Sequence, residues 1–151
     1  EGIDYVSCYY LKNQKMSEME KHILNEITMH IKRGFKVVGI HVDGQFNNES
    51  FKKKVFPVTV HVYAPGEHVG FIENSNKTVK ERMRSVIHGL PYEHVPQIVI
   101  ISLVQHVLGH LNHEKKKGRT MSPTAIVTGR GKRDFSKNKI KFGAYAQVWG
   151  G

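Results

Sequence analysis

A chain of 151 residues, 39% of them hydrophobic, can bury one hydrophobic core and is too short for two well-separated domains. Its single cysteine, Cys8, excludes a disulfide framework and a cysteine-based zinc site built from this chain, and it favours a reducing compartment. The formal net charge of +10 predicts attraction to a polyanion, most commonly nucleic acid, and the apolar runs are too interrupted to predict a membrane partner.

The first part of the chain predicts a strand, a helix and a second strand. Ile3 to Leu11 is rich in Tyr and Val, which favours a strand. The helix is predicted from a capping box, Ser17-Glu18-Met19-Glu20, to Gly34, which stands where a C-terminal cap would. Phe35 to Val42 is mostly apolar, as a central strand covered on both faces would be. Asp43 follows directly, so a carboxylate is predicted at the end of a strand.

The middle of the chain predicts another strand and a long amphipathic helix. Valines alternate with other residues from Val58 to Tyr63, which is typical of a strand. A helix is predicted from about Val69 to His88, because its apolar residues recur on one side. Its other side carries a polar stripe with helical spacing and one carboxylate at its N-terminal end: Glu73, Lys77, Lys80 and Arg84.

The last part predicts two more helices and one weaker element. Val95 to Leu111 is apolar nearly all round and is interpreted as a buried helix. Ser122 and Pro123 form a plausible cap and first turn for a short helix, and Phe142 to Trp149 alternates weakly, as a strand could. Because strands and helices mix throughout, the predicted class is α/β or α+β.

Two carboxylates are candidates for metal-dependent phosphodiester chemistry, which needs several carboxylates converging on shared metal ions. Asp43 at a strand end and Glu73 early in a basic-faced helix suit that role. The alternative stays open that Asp43 merely opens an Asp-Gly turn and that Glu73 pairs with Lys77 on a solvated helix face.

A series of sequence blocks resembles the integrase of copia-type (Pseudoviridae-like) LTR retrotransposons. The blocks occur in that family's order with similar gaps and span nearly the whole chain: Arg33-Gly34-Phe35, Asp43-Gly44-Gln45-Phe46, Gly66-Glu67-His68-Val69, Lys77 to Arg84, Leu90-Pro91-Tyr92, Ser122 to Gly129 and Phe142-Gly143-Ala144-Tyr145. Any one block would be a weak signal, whereas the ordered series is specific.

The resemblance implies an RNase H-like core, a central mixed sheet flanked by helices, within residues 1–113. In that family two aspartates and a glutamate hold Mg²⁺ or Mn²⁺ for joining element DNA to target DNA. By motif, Asp43 and Glu73 correspond to the second aspartate and the glutamate, as catalytic and metal-binding residues. The first aspartate and its strand would precede Ile3, so the chain is expected to be N-terminally truncated and inactive alone. The chain departs from the family at Phe71, where an acidic residue is usual, and at Asn74, where an arginine is usual, which adds to the expectation of inactivity. Glu67 is the alternative carboxylate if the register of the motif differs.

The expectation of a DNA partner depends on the basic residues. Lys77, Lys80 and Arg84 would flank the metal site and contact phosphates, unless they form only a solvated face paired with Glu73 and Glu81. Residues 114–151 are interpreted as a basic extension that binds DNA without sequence preference, since residues 112–141 hold ten Lys or Arg and two acidic residues. The candidate DNA-binding residues there are Lys115, Lys116, Lys117, Arg119, Arg130, Lys132 and Arg133.

The resemblance also implies self-association and a location in the nucleus or in a cytoplasmic virus-like particle. A second function stays open: a noncatalytic nucleic-acid-binding or self-associating module derived from a decayed element. His106, His110 and His113 share one helix face and could gather a metal such as zinc, but with no second cluster to complete the site they are interpreted as ordinary helix residues.

Overall fold

The computed structural model describes residues 3–64, 70–130 and 140–144. The chain forms two compact units. One, called here the α/β unit, is Tyr9–Val69, and the other, the helical unit, is Glu1–Cys8 together with Gly70–Gly151. The described residues form five α-helices and a two-stranded parallel sheet, so the fold is mixed α/β. The domain boundary predicted between residues 113 and 114 stays a prediction.

The α/β unit is built around one small parallel sheet. Strand β1 is Gly39–Asp43 and strand β2 is Thr59–Tyr63, with Gly39 opposite Thr59 and Asp43 opposite Tyr63. Both predicted strands are thus confirmed, although β1 begins later than predicted. Only one face of β1 is covered, since His41 and Asp43 are exposed; the prediction of a strand covered on both faces is wrong.

Helix α1, Met16–Lys32, confirms the first predicted helix but not its predicted start. The capping box at Ser17 is wrong, because the helix begins after Lys15, whose carbonyl oxygen accepts the Glu18 and Met19 amides. The carboxylate of Glu20 is instead buried and pairs with the Lys54 ammonium at 2.6 Å. The predicted end is confirmed: Gly34 has φ of +84° and donates its amide to Ile31.

Helix α2, Glu49–Val55, was not predicted. It follows a short 3₁₀ turn at Gly44–Phe46, and the side chain of Asn48 caps it by accepting the Phe51 amide at 2.7 Å. Its buried side chains complete the core of the unit, which consists of Phe46, Phe51, Val55 and Val58, with Met19, Ile23, Ile27, Ile40, Val42 and Val60 among the partly buried residues packed against it. A helix this short has too few turns for its apolar period to stand out in the sequence.

The predicted strand at Ile3 to Leu11 is wrong, since this segment forms no strand. The backbone of the first part of this segment instead forms hydrogen bonds with side chains of the helical unit. The side-chain amide of Asn112 accepts the Val6 amide at 2.9 Å and donates to the Val6 carbonyl at 2.7 Å, and Gln105 donates to the Cys8 carbonyl at 3.0 Å. The Tyr- and Val-rich composition favours extended backbone, but a strand also needs a backbone partner.

The helical unit contains α3 at Gly70–Ile87, α4 at Gln97–His113 and α5 at Pro123–Thr128, so all three later helices are confirmed. Ser122 caps α5 as predicted, accepting the Ala125 amide at 3.3 Å. The prediction that α4 is a buried helix is confirmed where Leu103, Val107 and Leu108 are buried, but it is wrong for the N-terminal turn, where Ile98 is 67% exposed. The described start of the strand predicted at Phe142 to Trp149 forms no strand, since Phe142 and Gly143 lie in a turn, and residues 145–149 fall outside the described residues.

Across the described part of the chain, no helix combines the length and the apolar character that crossing a membrane requires.

Candidate nucleic-acid interface

Asp43 stands at the carboxyl end of β1, where the sequence predicted a carboxylate. Its side chain is exposed, and the 3₁₀ turn that begins at Gly44 follows it directly. Parallel strands place their carboxyl ends at one edge of a sheet, so Asp43 and its register partner Tyr63 share that edge. The carboxylate is therefore accessible to a cation or to another polar ligand.

Glu73 lies in the first turn of α3 and is exposed. It lines an open depression of about 410 Å³ together with four other polar side chains of the same helix: Asn76, Lys77, Lys80 and Arg84. This set is called here the α3 basic face. The predicted polar stripe is thus brought together as the spacing required, with its carboxylate at the positive end of the helix dipole.

One cation of the α3 basic face also forms an ion pair with a carboxylate outside that set. The Lys77 ammonium lies 4.0 Å from the carboxylate of Glu81, one turn further along the helix, and both side chains are exposed. This is one of the two pairings that the solvated-face interpretation predicts. An exposed ion pair of this kind contributes at most about 1 kcal/mol, so a phosphate could replace the carboxylate at little cost.

Two of the predicted DNA-binding side chains are held by an acidic residue near the start of the chain. The Lys116 ammonium lies 2.9 Å from the Asp4 carboxylate, and the Arg119 guanidinium lies 3.0 Å from it and donates to the Ile3 carbonyl at 3.1 Å. The hydrogen bond from Lys116 lowers the pKa of Asp4, partial burial opposes the shift, and the charges of both cations add to it. No local sequence signal reveals a contact between residues so far apart in the chain.

The lowered pKa of Asp4 predicts a pH-dependent stability. Because the pKa is lower in the folded chain than its ordinary value of 3.8, this carboxylate stabilises the fold fully above pH 3.8 and loses that contribution as the pH falls through the lowered value. Asp4→Asn removes the titrating group. We expect wild type and Asp4→Asn to differ in free energy of unfolding at pH 6 and to converge in acid, as measured by urea denaturation across this range. A difference that stays constant from pH 6 to pH 2 would contradict the assignment.

A second charged contact joins α3 to the residue after α4. The Arg82 guanidinium donates to both carboxylate oxygens of Glu114, at 2.6 and 2.8 Å. These two hydrogen bonds, donated by Arg82 and accepted by Glu114, lower the pKa of Glu114 and raise the pKa of Arg82, both against partial burial. Both residues line a depression of about 490 Å³ that also includes Asp4, Phe71 and Lys116. No local sequence signal points to this pair, whose members lie 32 positions apart in the chain.

The remaining predicted basic residues are more dispersed. Lys115, Lys117 and Arg130 are exposed, whereas Lys132 and Arg133 lie outside the described residues. Lys115 lines the same depression as Lys116. The described DNA-binding candidates therefore lie on the α3 basic face, in the loop after α4 and, for Arg130, after α5.

The three histidines of α4 contact neighbouring rings and helix backbone. The rings of His106 and His110 meet edge to face with centroids 4.6 Å apart, and His106 also packs against Phe142 at 4.7 Å. His113 donates from Nδ1 to the Gly109 carbonyl at 2.7 Å. Burial, and then the charge of His110, lowers the pKa of His106. These contacts are those of ordinary helix side chains.

The donor chemistry of Asp43 and Glu73 suits Mg²⁺ or Mn²⁺, which prefer carboxylate oxygens. The two residues belong to different units, so their convergence stays a prediction. Within residues 3–64, 70–130 and 140–144, no three His, Cys, Asp or Glu side chains come together as a metal site.

Compared with known proteins, the chain matches no family model and no curated protein.

Proposed function

We propose that this chain is part of an RNase H-like integrase core of the copia type, which binds DNA and takes part in metal-dependent strand transfer in the complete protein. The observation that carries the proposal is the α3 basic face, where Glu73 lines one depression with Lys77, Lys80 and Arg84. The carboxylate would supply one of the ligands that a divalent ion needs, and the three cations would contact phosphates of the DNA backbone.

In this proposal the side chains of α3 position the DNA. Lys77, Lys80 and Arg84 are all exposed and follow one helix face, so they can contact successive phosphates without reading base sequence. Glu73 and Asp43 would hold Mg²⁺ or Mn²⁺, which when bound stabilises charge on the attacking and leaving oxygens. Self-association and a location in the nucleus or in a virus-like particle belong to the same proposal.

The decisive experiment compares duplex DNA binding in Mg²⁺ or Mn²⁺ with binding in EDTA, at low and high salt. We expect metal to enhance binding by the wild type, and the Asp43→Asn, Glu73→Gln double variant to lose that enhancement. Since these substitutions also remove negative charge, the measure is the ratio of affinities with and without metal for each protein. A Glu49→Gln, Glu93→Gln variant removes equal charge at exposed positions elsewhere and should keep the enhancement.

The same experiment decides between the two candidate functions. Binding that falls with salt but is indifferent to metal and to both carboxylates would contradict the metal-dependent proposal. It would favour the noncatalytic nucleic-acid-binding module, which the charge of +10 supports on its own.

A further inference from the structure

The solvent-facing side of the sheet in the α/β unit carries three stacked rings. His41 on β1 lies opposite His61 on β2 in the register, and their rings stack with centroids 4.8 Å apart and planes 21° apart. The ring of His41 also stacks on Tyr63, at 5.3 Å and 25°. Both histidines are exposed and Tyr63 is half-buried. His41, His61 and Tyr63 are called here the ring cluster.

The strand register explains why these rings gather on one face. Side chains alternate along each strand, so Ile40 and Val42 turn toward the core while His41 turns away from it. The lack of a side chain at Gly39 leaves room for one of the rings. A Cβ added at Gly39 would lie 3.3 Å from Nε2 of His61, so a side chain at position 39 would crowd the ring of His61.

The geometry points to a binding site for the unpaired bases of single-stranded nucleic acid. Stacking on exposed rings is the usual way in which proteins hold unpaired bases, and it tolerates sequence because every base has a π face. The α/β unit is also cationic, with nine Lys or Arg against six Asp or Glu for a net charge of +3, which attracts a polyanion to the cluster.

The arrangement of the rings disfavours a metal ion as the ligand. Ring nitrogens coordinate metals in the plane of the ring, and two nearly parallel imidazoles 4.8 Å apart do not direct their lone pairs at one point. Stacked rings instead present π faces and edges. The inference goes beyond the proposed function, because the ring cluster lies in the other unit from the α3 basic face and needs no metal.

The test measures binding of a labelled oligothymidylate of about ten nucleotides, a length that one small binding surface can cover, in EDTA and at low salt. We expect His41→Ala and His61→Ala each to weaken binding about fivefold to tenfold, the lower end of the range for base stacking. His41→Phe keeps a ring and should bind at least as well as the wild type. Thr59→Ala, on the same face of β2, is the matched control and should bind unchanged.

Thermal melts and duplex binding of the same variants distinguish a base-binding site from a purely structural role of the rings and from the metal-dependent proposal. Unchanged melting and unchanged duplex binding in Mg²⁺, with weakened single-strand binding, would support the ring cluster even if the metal-dependent proposal fails. Equal single-strand binding by wild type and both alanine variants would overturn it. A loss by His41→Phe as large as that by His41→Ala would also overturn it, as would losses that only follow a lowered melting temperature, since the rings would then merely stabilise the sheet.

Discussion

Replacing Lys77, Lys80 and Arg84 together by glutamine is expected to weaken duplex DNA binding about tenfold to a hundredfold at low salt. Each cation that neutralises a phosphate releases condensed counterions, so three contacts contribute about 2.7 to the slope of log affinity against log salt. The triple variant should therefore bind more weakly and also lose that much of its salt dependence. Glutamine preserves helix propensity, so α3 should form as before.

The measurement is a titration of labelled duplex at several salt concentrations, with the slope as the readout. A Lys12→Gln, Lys15→Gln, Lys32→Gln variant is the matched control, because it removes the same charge from exposed positions of the α/β unit. We expect the control to shift affinity slightly and to keep most of the slope. If both variants lose slope equally, DNA responds to net charge alone and the α3 basic face is not the contact surface.

Phe51→Ala is expected to lower the free energy of unfolding by about 3–5 kcal/mol. Phe51 is fully buried, and its ring packs against Phe46 with centroids 5.2 Å apart. Truncation removes the ring from a core that has only four buried residues in the α/β unit as described. The neighbouring side chains then lose their contacts with the ring and surround a cavity. A loss of this size is a large part of the total stability of a small domain.

Urea denaturation followed by far-ultraviolet circular dichroism measures this effect. Phe71→Ala makes the same chemical change at a side chain that is 56% exposed, and it should cost less than about 1 kcal/mol. Similar losses for the two variants would contradict the assignment of Phe51 to the core.

The elements that were predicted correctly have a signal contained within a few neighbouring residues. The stop at Gly34 depends on a left-handed residue after the last turn, and the start of α5 depends on the Ser122 hydroxyl and the Ala125 amide three residues on. The α3 basic face is equally local, because residues three and four apart must share a helix face.

The errors concern features that depend on a distant partner. Ile3 to Leu11 has a composition that favours strands, yet Asn112 and Gln105 hydrogen-bond its backbone where a second strand was expected. The capping box at Ser17 does not form, because the helix begins after Lys15, and Glu20 pairs with Lys54 from α2 instead. A single sequence does not show which segment will lie beside which.

By itself the sequence determined the class of the fold, the position of Asp43 at the end of a strand, and the polar stripe of α3, because the composition and spacing of neighbouring residues indicate all three. The convergence of Asp43 and Glu73 stays a prediction. Only the tertiary structure decided that Asp4 holds Lys116 and Arg119, and that His41, His61 and Tyr63 stack on one face of the sheet. Those contacts join residues distant in sequence, and chain folding and strand register create the proximity that local periodicity cannot encode.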